Sequence, residues 1–82
     1  MLILQYYTRE GCHLCEEMLE ELIPLIRGKA GLKICNVDLQ ENWKKKYGIR
    51  VPIIKSGKQT ISEYPLNYKS LQIYLKKTLE SQ

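Results

Sequence analysis

Apolar and polar positions along the chain follow two periods, and the change from one to the other marks the elements. Leu2 to Tyr7 is a short apolar and aromatic run whose two-sided character suits a central strand covered on both faces. It ends in the turn Thr8 to Gly11. From Cys12 the spacing becomes helical: Leu14, Met18 and Leu22 lie four residues apart, Leu19 and Ile23 widen the stripe, and Glu16, Glu17, Glu20 and Glu21 form the polar face. Pro24 lacks a backbone donor and crowds the preceding turn, so a kink or break is expected near residue 23.

Leu32 to Asp38 alternates as a second strand, and the preceding helix is long enough for a crossover to a parallel neighbour. Asn42 to Tyr47 predicts a short basic helix that packs Trp43 and Tyr47 onto the sheet, with Gly48 suited to a left-handed position after its end. Val51 to Lys55 and Gln59 to Ser62 read as antiparallel strands joined through Ser56-Gly57-Lys58. A last helix follows the candidate N-cap Asn67, behind Pro65, and carries Leu71, Tyr74, Leu75 and Leu79 at helical spacing. The order βαβαββα accounts for residues 1–82 as one α/β domain.

Composition narrows the function. With 82 residues and 44% hydrophobic content, the chain suits one small core. No apolar run approaches the about 20 residues of a membrane span, and no basic leader precedes an apolar segment, so a cytoplasmic monomer without membrane contact is expected. The net charge of +4 and the cluster Lys44, Lys45 and Lys46 raise nucleic acid or an acidic protein as partners. Three lysines on one helical turn read instead as a solvated face, and nucleic acid is not expected.

The chemistry lies in the cysteines. Three of them, an odd number, do not make a secreted disulfide framework, and in a reducing compartment a CxxC pair is catalytic rather than structural. In Thr8-Arg9-Glu10-Gly11-Cys12-His13-Leu14-Cys15, the two thiols share one face of a helix start and fall within disulfide reach. Cys12, at the N-cap, sits at the positive helix end, where the dipole contributes about 0.3–2 kcal/mol to a nearby anion. Cys12 is therefore the expected nucleophile. Arg9 and His13 add positive charge beside it, opposed by Glu10, Glu16 and Glu17. His13 reads as an exposed modulator of thiolate charge rather than a base, because disulfide exchange needs no base once the thiolate has formed. Cys35, in an apolar strand, reads as an inert buried thiol, and Tyr7 as core or the lip of a groove.

Two other readings stand beside redox chemistry. Cys12, Cys15 and His13 could hold zinc or share an iron–sulfur cluster, with further ligands from a dimer or an external thiol. The chain could also be an interaction domain without turnover.

Pro52, at the start of a strand, costs a ladder donor and is tolerated there in cis or edge geometry. In the order above, the loop before the third strand lies beside the end of the first, so Val51-Pro52 faces Cys12 across a small gap. A cis bond there would turn the N–H and C=O of Val51 outward toward an extended peptide.

A strand, a turn into CxxC at a helix start, and Tyr47-Gly48-Ile49-Arg50-Val51-Pro52 before a ββα ending resemble the thioredoxin superfamily over essentially the whole chain. The run from Tyr7 to Glu17 is similar to small glutaredoxin-like proteins, and Tyr47 to Pro52 resembles thioredoxin itself. The resemblance implies a thioredoxin-like βαβαββα fold with a four-stranded mixed sheet flanked by helices. It implies a dithiol oxidoreductase with Cys12 as nucleophile, Cys15 as resolving thiol and Pro52 in cis, without a bound cofactor or metal. Substrates would be a disulfide-containing protein or a glutathione mixed disulfide, and electrons would come from glutathione or a reductase. Arg9, His13, Val51 and Pro52 would line the substrate site. The chain departs from WCGPC and CPYC by placing His13 and Leu14 between the cysteines. It also lacks the double glycine and acidic pair with which glutaredoxins hold glutathione. Ser62 or Glu63 would have to hold the glutathione amino end here, and Arg9 or Lys46 a carboxylate.

Overall fold

The computed structural model describes residues 2–80. In chain order the elements are β1 (Ile3–Thr8), α1 (His13–Ile26), β2 (Gly31–Asn36), a 3-10 turn (Val37–Leu39), α2 (Glu41–Tyr47), β3 (Ile53–Ser56), β4 (Gln59–Glu63) and α3 (Tyr68–Glu80). The strands form one mixed sheet in the order β2-β1-β3-β4. β1 and β2 run parallel, with Thr8 opposite Asn36. β3 is antiparallel to both neighbours, with Ile53 opposite Tyr7 on one side and Glu63 on the other. One end of the sheet therefore collects the ends of β1, β2 and β4 and the start of β3.

Alternation along the central strands feeds two apolar clusters. Leu4 and Tyr6 of β1 and Ile54 of β3 join Met18, Leu22 and Ile26 of α1 and Leu71 and Leu75 of α3. Tyr7 and Ile53 belong to the other cluster, with Cys35, Val37 and the α2 aromatics Trp43 and Tyr47. Each fully buried Leu or Ile contributes about 1.5–3 kcal/mol, so the two-sided patterning of β1 and β3 drives this layering. Tyr7 meets Trp43 edge-on at 5.5 Å and Tyr47 at 4.6 Å, which holds α2 to the sheet.

Several expectations change. The helix runs unbroken through Pro24. Pro24 and Glu20 are both exposed, so the carbonyl that loses its partner faces water, while buried Leu22 and Ile26 grip the turns on either side. The buried stripe is Cys15, Met18, Leu22 and Ile26; Leu14 and Ile23 point outward. The second strand stops at Asn36, whose side chain accepts from the Asp38 N–H at 3.0 Å and starts the 3-10 turn. Gly48 is right-handed, with φ −51° and ψ −38°. Glycine is required there by space, since a Cβ would lie 2.5 Å from the Lys44 carbonyl oxygen. The ladder of β3 begins at Ile53, so Pro52 lies just before the strand and removes no sheet donor. At the hairpin, Gly57 takes φ +61°, open to glycine with little strain. The Asn67 side chain accepts from the Ser70 N–H at 2.9 Å and caps α3 as expected.

Candidate functional site

The chain leaves β1 through a turn that only glycine closes easily, Gly11 having φ +74°. Cys12 follows in extended geometry as the N-cap of α1. Its Sγ accepts the Cys15 N–H at 3.1 Å, so a backbone donor points at the sulfur from the helix start. Cys12 and Cys15 form a disulfide with Cα atoms 5.2 Å apart. The two cysteines differ in access: Cys12 is half-buried, and Cys15 is only 2% exposed, facing inward on the apolar stripe. Beneath it, the buried Tyr6 hydroxyl donates to the Cys15 carbonyl at 2.6 Å and ties the first turn of α1 to β1. Burial, reinforced by Glu21, pushes that hydroxyl well above the usual tyrosine range.

The opposite wall is the loop before β3. The Val51-Pro52 bond is cis, as the resemblance implied, and so is Tyr64-Pro65. Strand register brings Val51 and Pro52 to the same sheet end as Cys12. The Val51 N–H, however, donates to the Tyr47 carbonyl at 3.1 Å, beside a parallel bond from the Arg50 N–H at 2.8 Å. It does not point outward as expected, because the end of α2 folds back onto it.

Arg9 is also at this end, with its guanidinium engaged inside the protein. Nε and Nη2 donate to Asp38 at 3.3 and 2.8 Å, and Nη1 donates to the Gly48 carbonyl at 2.9 Å. Arg9 thus joins the loop before Cys12 to the turn after β2 and to the end of α2. His13 is exposed on the first turn of α1, with no hydrogen bond or ion pair among the described residues. Asp38, Gly48 and Tyr6 were missed as supports of the site. Alternation marks Tyr6 as inward-facing beside Leu4, whereas nothing local in the sequence signals Asp38.

Comparison with known proteins agrees with this fold. The family model of the glutaredoxin-like domain (DUF836) matches residues 3–76. The chain belongs to that glutaredoxin-like family. No curated protein matches it. Among solved structures, the structural-genomics target protein XcR50 from X. campestris is 25% identical with a TM-score of 0.67, over 90% of this chain and 96% of that one. Thioredoxin 1 from Thermosipho africanus, at 15% identity and a TM-score of 0.63, covers 94% of this chain and 98% of its own. Mitochondrial thioredoxin 3 from Saccharomyces cerevisiae in its oxidized form, at 20% identity and a TM-score of 0.59, covers 92% of this chain and 76% of its own. These likenesses place the glutaredoxin-like chain in the thioredoxin fold.

Within this glutaredoxin-like domain, the groups considered for glutathione are mostly occupied. Glu63 receives Arg50 through Nε at 3.3 Å and Nη2 at 2.9 Å. Ser62 is 5% exposed; its hydroxyl donates to the Glu63 carbonyl at 2.8 Å and accepts the Asn67 N–H at 2.9 Å. Lys46 is exposed. Cys35 is 3% exposed, opposite Tyr7 in the sheet and in the α2-side cluster, and burial raises its thiol pKa. No three His, Cys, Asp or Glu side chains group as a metal site among the described residues. No helix among them is long and apolar enough to cross a membrane.

Proposed function

We propose that this glutaredoxin-like domain is a thiol–disulfide oxidoreductase that reduces disulfides by dithiol exchange. In the reduced state, the Cys15 N–H and the start of α1 stabilise the Cys12 thiolate relative to the thiol. That thiolate attacks one sulfur of the substrate disulfide. The Cys12–substrate bond forms as the substrate S–S bond breaks, and the other substrate sulfur leaves as a thiolate that takes a proton from water. Cys15 then loses its proton and attacks Cys12 Sγ, the second substrate thiolate leaves, and the Cys12–Cys15 disulfide closes. Two electrons pass from the domain to the substrate, and glutathione or a reductase returns them.

The observation that carries this reading is the Cys15 N–H directed at the Sγ of Cys12, the more exposed of the two cysteines. Val51, half-buried, forms the wall against which a substrate segment lies, and the fully buried Pro52 behind it sets the course of that wall; exposed His13 follows Cys12 at the rim of the site. Arg9 acts by holding the loop. A monomer in a reducing compartment such as the cytoplasm suits the cycle.

The test is single turnover of the pre-reduced protein on a peptide disulfide, read as peptide thiol released. One equivalent of reduced peptide is expected from the native protein and none from Cys12→Ser. No release by the native protein would remove the reading.

A further inference from the structure

β2 is an edge of the sheet: β1 pairs with one side of it, and no strand among the described residues pairs with the other. The Gly31 N–H donates to the Leu2 carbonyl at 2.8 Å, which sets the phase of the ladder. Gly31, Lys33 and Cys35 therefore turn their backbone groups to β1, and Leu32 and Ile34 turn theirs to the open side. Proteins blunt such edges with charge, proline or a bulge, because unpaired N–H and C=O groups are a template for another strand. The opposite edge, β4, exposes Gln59, Thr60 and Glu63. On β2 the charged residue is Lys33, which shares the Cys35 face of the sheet, so the α1 side of this edge presents only Leu32 and Ile34.

Beside that edge runs an apolar groove of about 510 Å³, with Leu19, Ile23 and Arg27 on its helix wall and Ala30, Leu32 and Ile34 on its strand wall. Ile34 is 52% exposed and Ile23 41%. Charge around the groove has two ends. Glu16, Glu20 and Arg27 stand at helical spacing from Ile23 and share its side of α1, whereas Glu17 and Glu21 fall on other sides. Glu16 and Glu20 lie toward the start of the helix, where Glu10 in the preceding turn adds to the acid; Arg27 and Lys29 lie beyond its end. Glu16, Glu20, Arg27 and Lys29 are all exposed, and none is in an ion pair among the described residues.

We infer that this face is where two copies of the chain meet: β2 of one pairs antiparallel with β2 of the other about a two-fold axis at Leu32, and the apolar sides of the two α1 helices close over the groove. A two-fold interface uses the same patch on both sides, so the patch must complement itself. An antiparallel run does this here, because it lays the Glu16 and Glu20 end of each groove on the Arg27 and Lys29 end of the other. The axis follows from the residues. Lys33 on the axis would set like charges opposite one another. Leu32 on the axis sets Lys33 opposite Gly31 of the second copy, lets the two Leu32 backbones exchange hydrogen bonds, and centres the contact on a groove that reaches from Ala30 to Ile34 along the strand. Cys12 stands at the far end of α1 from Arg27, so each copy keeps its own cysteine pair open and runs its own exchange cycle. The pairing does not rest on that cycle.

The test is the molar mass of the full chain in solution, measured by sedimentation with reductant present from about 10 µM to 1 mM. The native protein is expected to pass from one copy to two within that range. Ile34→Glu places a charge in the groove at a half-exposed position and should raise the Kd for pairing about tenfold or more. Arg27→Glu by itself should weaken pairing about three- to tenfold, and so should Glu16→Arg combined with Glu20→Arg. An equimolar mixture of those two proteins should pair as tightly as the native chain, since acid on one then meets base on the other at both ends. The substituted side chains are exposed, so the variants are expected to fold, which circular dichroism checks. One copy at every concentration, or pairing that neither Ile34→Glu nor the charge reversals and their mixture alter, would overturn the inference. A native protein that stays single yet binds an apolar dye, with binding lost in Ile34→Glu, would give the groove a different occupant and overturn it equally. None of these outcomes bears on disulfide exchange, which release of peptide thiol tests separately.

Discussion

Arg9 grips Asp38 through two nitrogens, at 3.3 and 2.8 Å, from the loop that delivers Cys12 to the turn that ends β2. The same guanidinium reaches the Gly48 carbonyl. Three segments distant in sequence are thereby held at one sheet end. The pair is about a third exposed on each side, so its worth to stability is small, about 1 kcal/mol or less.

Arg9→Ala should therefore cost little in urea unfolding yet slow disulfide exchange severalfold, because the loop carrying Cys12 loses its tether. Arg9→Lys should rescue only partly, since an ammonium does not reproduce the two-nitrogen grip plus the carbonyl contact. Adding Asp38→Asn to Arg9→Ala should change the rate little further. Full additivity of the two substitutions would show that they act separately.

Cys15→Ser should trap a mixed disulfide on Cys12, whereas Cys12→Ser should form none. Mass spectrometry of peptide digests after exposure to a peptide disulfide locates the adduct. An adduct on Cys15 in Cys12→Ser would reverse the assigned roles, which rest on burial of Cys15 and on the N–H directed at Cys12.

Tyr6→Phe removes the hydrogen bond to the Cys15 carbonyl and should cost about 0.5–1.5 kcal/mol in urea unfolding. It should also alter the alkaline limb. Burial raises the folded-state hydroxyl above its unfolded value, so the folded chain keeps a proton that the unfolded chain releases. Stability from this group is complete below about pH 10 and declines as pH rises further. Unfolding midpoints measured across that range should fall less steeply for Tyr6→Phe, and parallel curves would refute the linkage.

Cys35 should resist iodoacetamide in the native reduced protein while Cys12 reacts, and should be labelled once urea unfolds the chain. Its 3% exposure and its place on the α2 side of the sheet underlie this. Labelling of Cys35 at a rate comparable to Cys12 under native conditions would count against it.

Local patterning carried most of the fold. The alternation in β1 and the spacing of the apolar residues in α3 announced their elements directly, because a strand or helix with a buried face must repeat its apolar positions at its own period. The CxxC at a helix start and the proline before β3 were equally visible, since backbone requirements at those points are local. The course of α1 past Pro24 was not. There a local rule was overridden by Leu22 and Ile26, whose burial depends on strands elsewhere in the chain. Leu14 and Ile23 were misplaced because one face of a helix is chosen by its partner, not by its own sequence.

The sequence by itself determined which cysteines pair in the CxxC, the order of elements that presents them, and the family to which the pattern belongs. Only the tertiary structure decided that Arg9 spends its charge on Asp38 and Gly48, that Glu63 spends its charge on Arg50, and that the Val51 N–H turns back to Tyr47. These are pairings between loops far apart in sequence, made where parallel and antiparallel strand register brings their ends together. A residue's type states what it can bind, and the fold decides which partner arrives first.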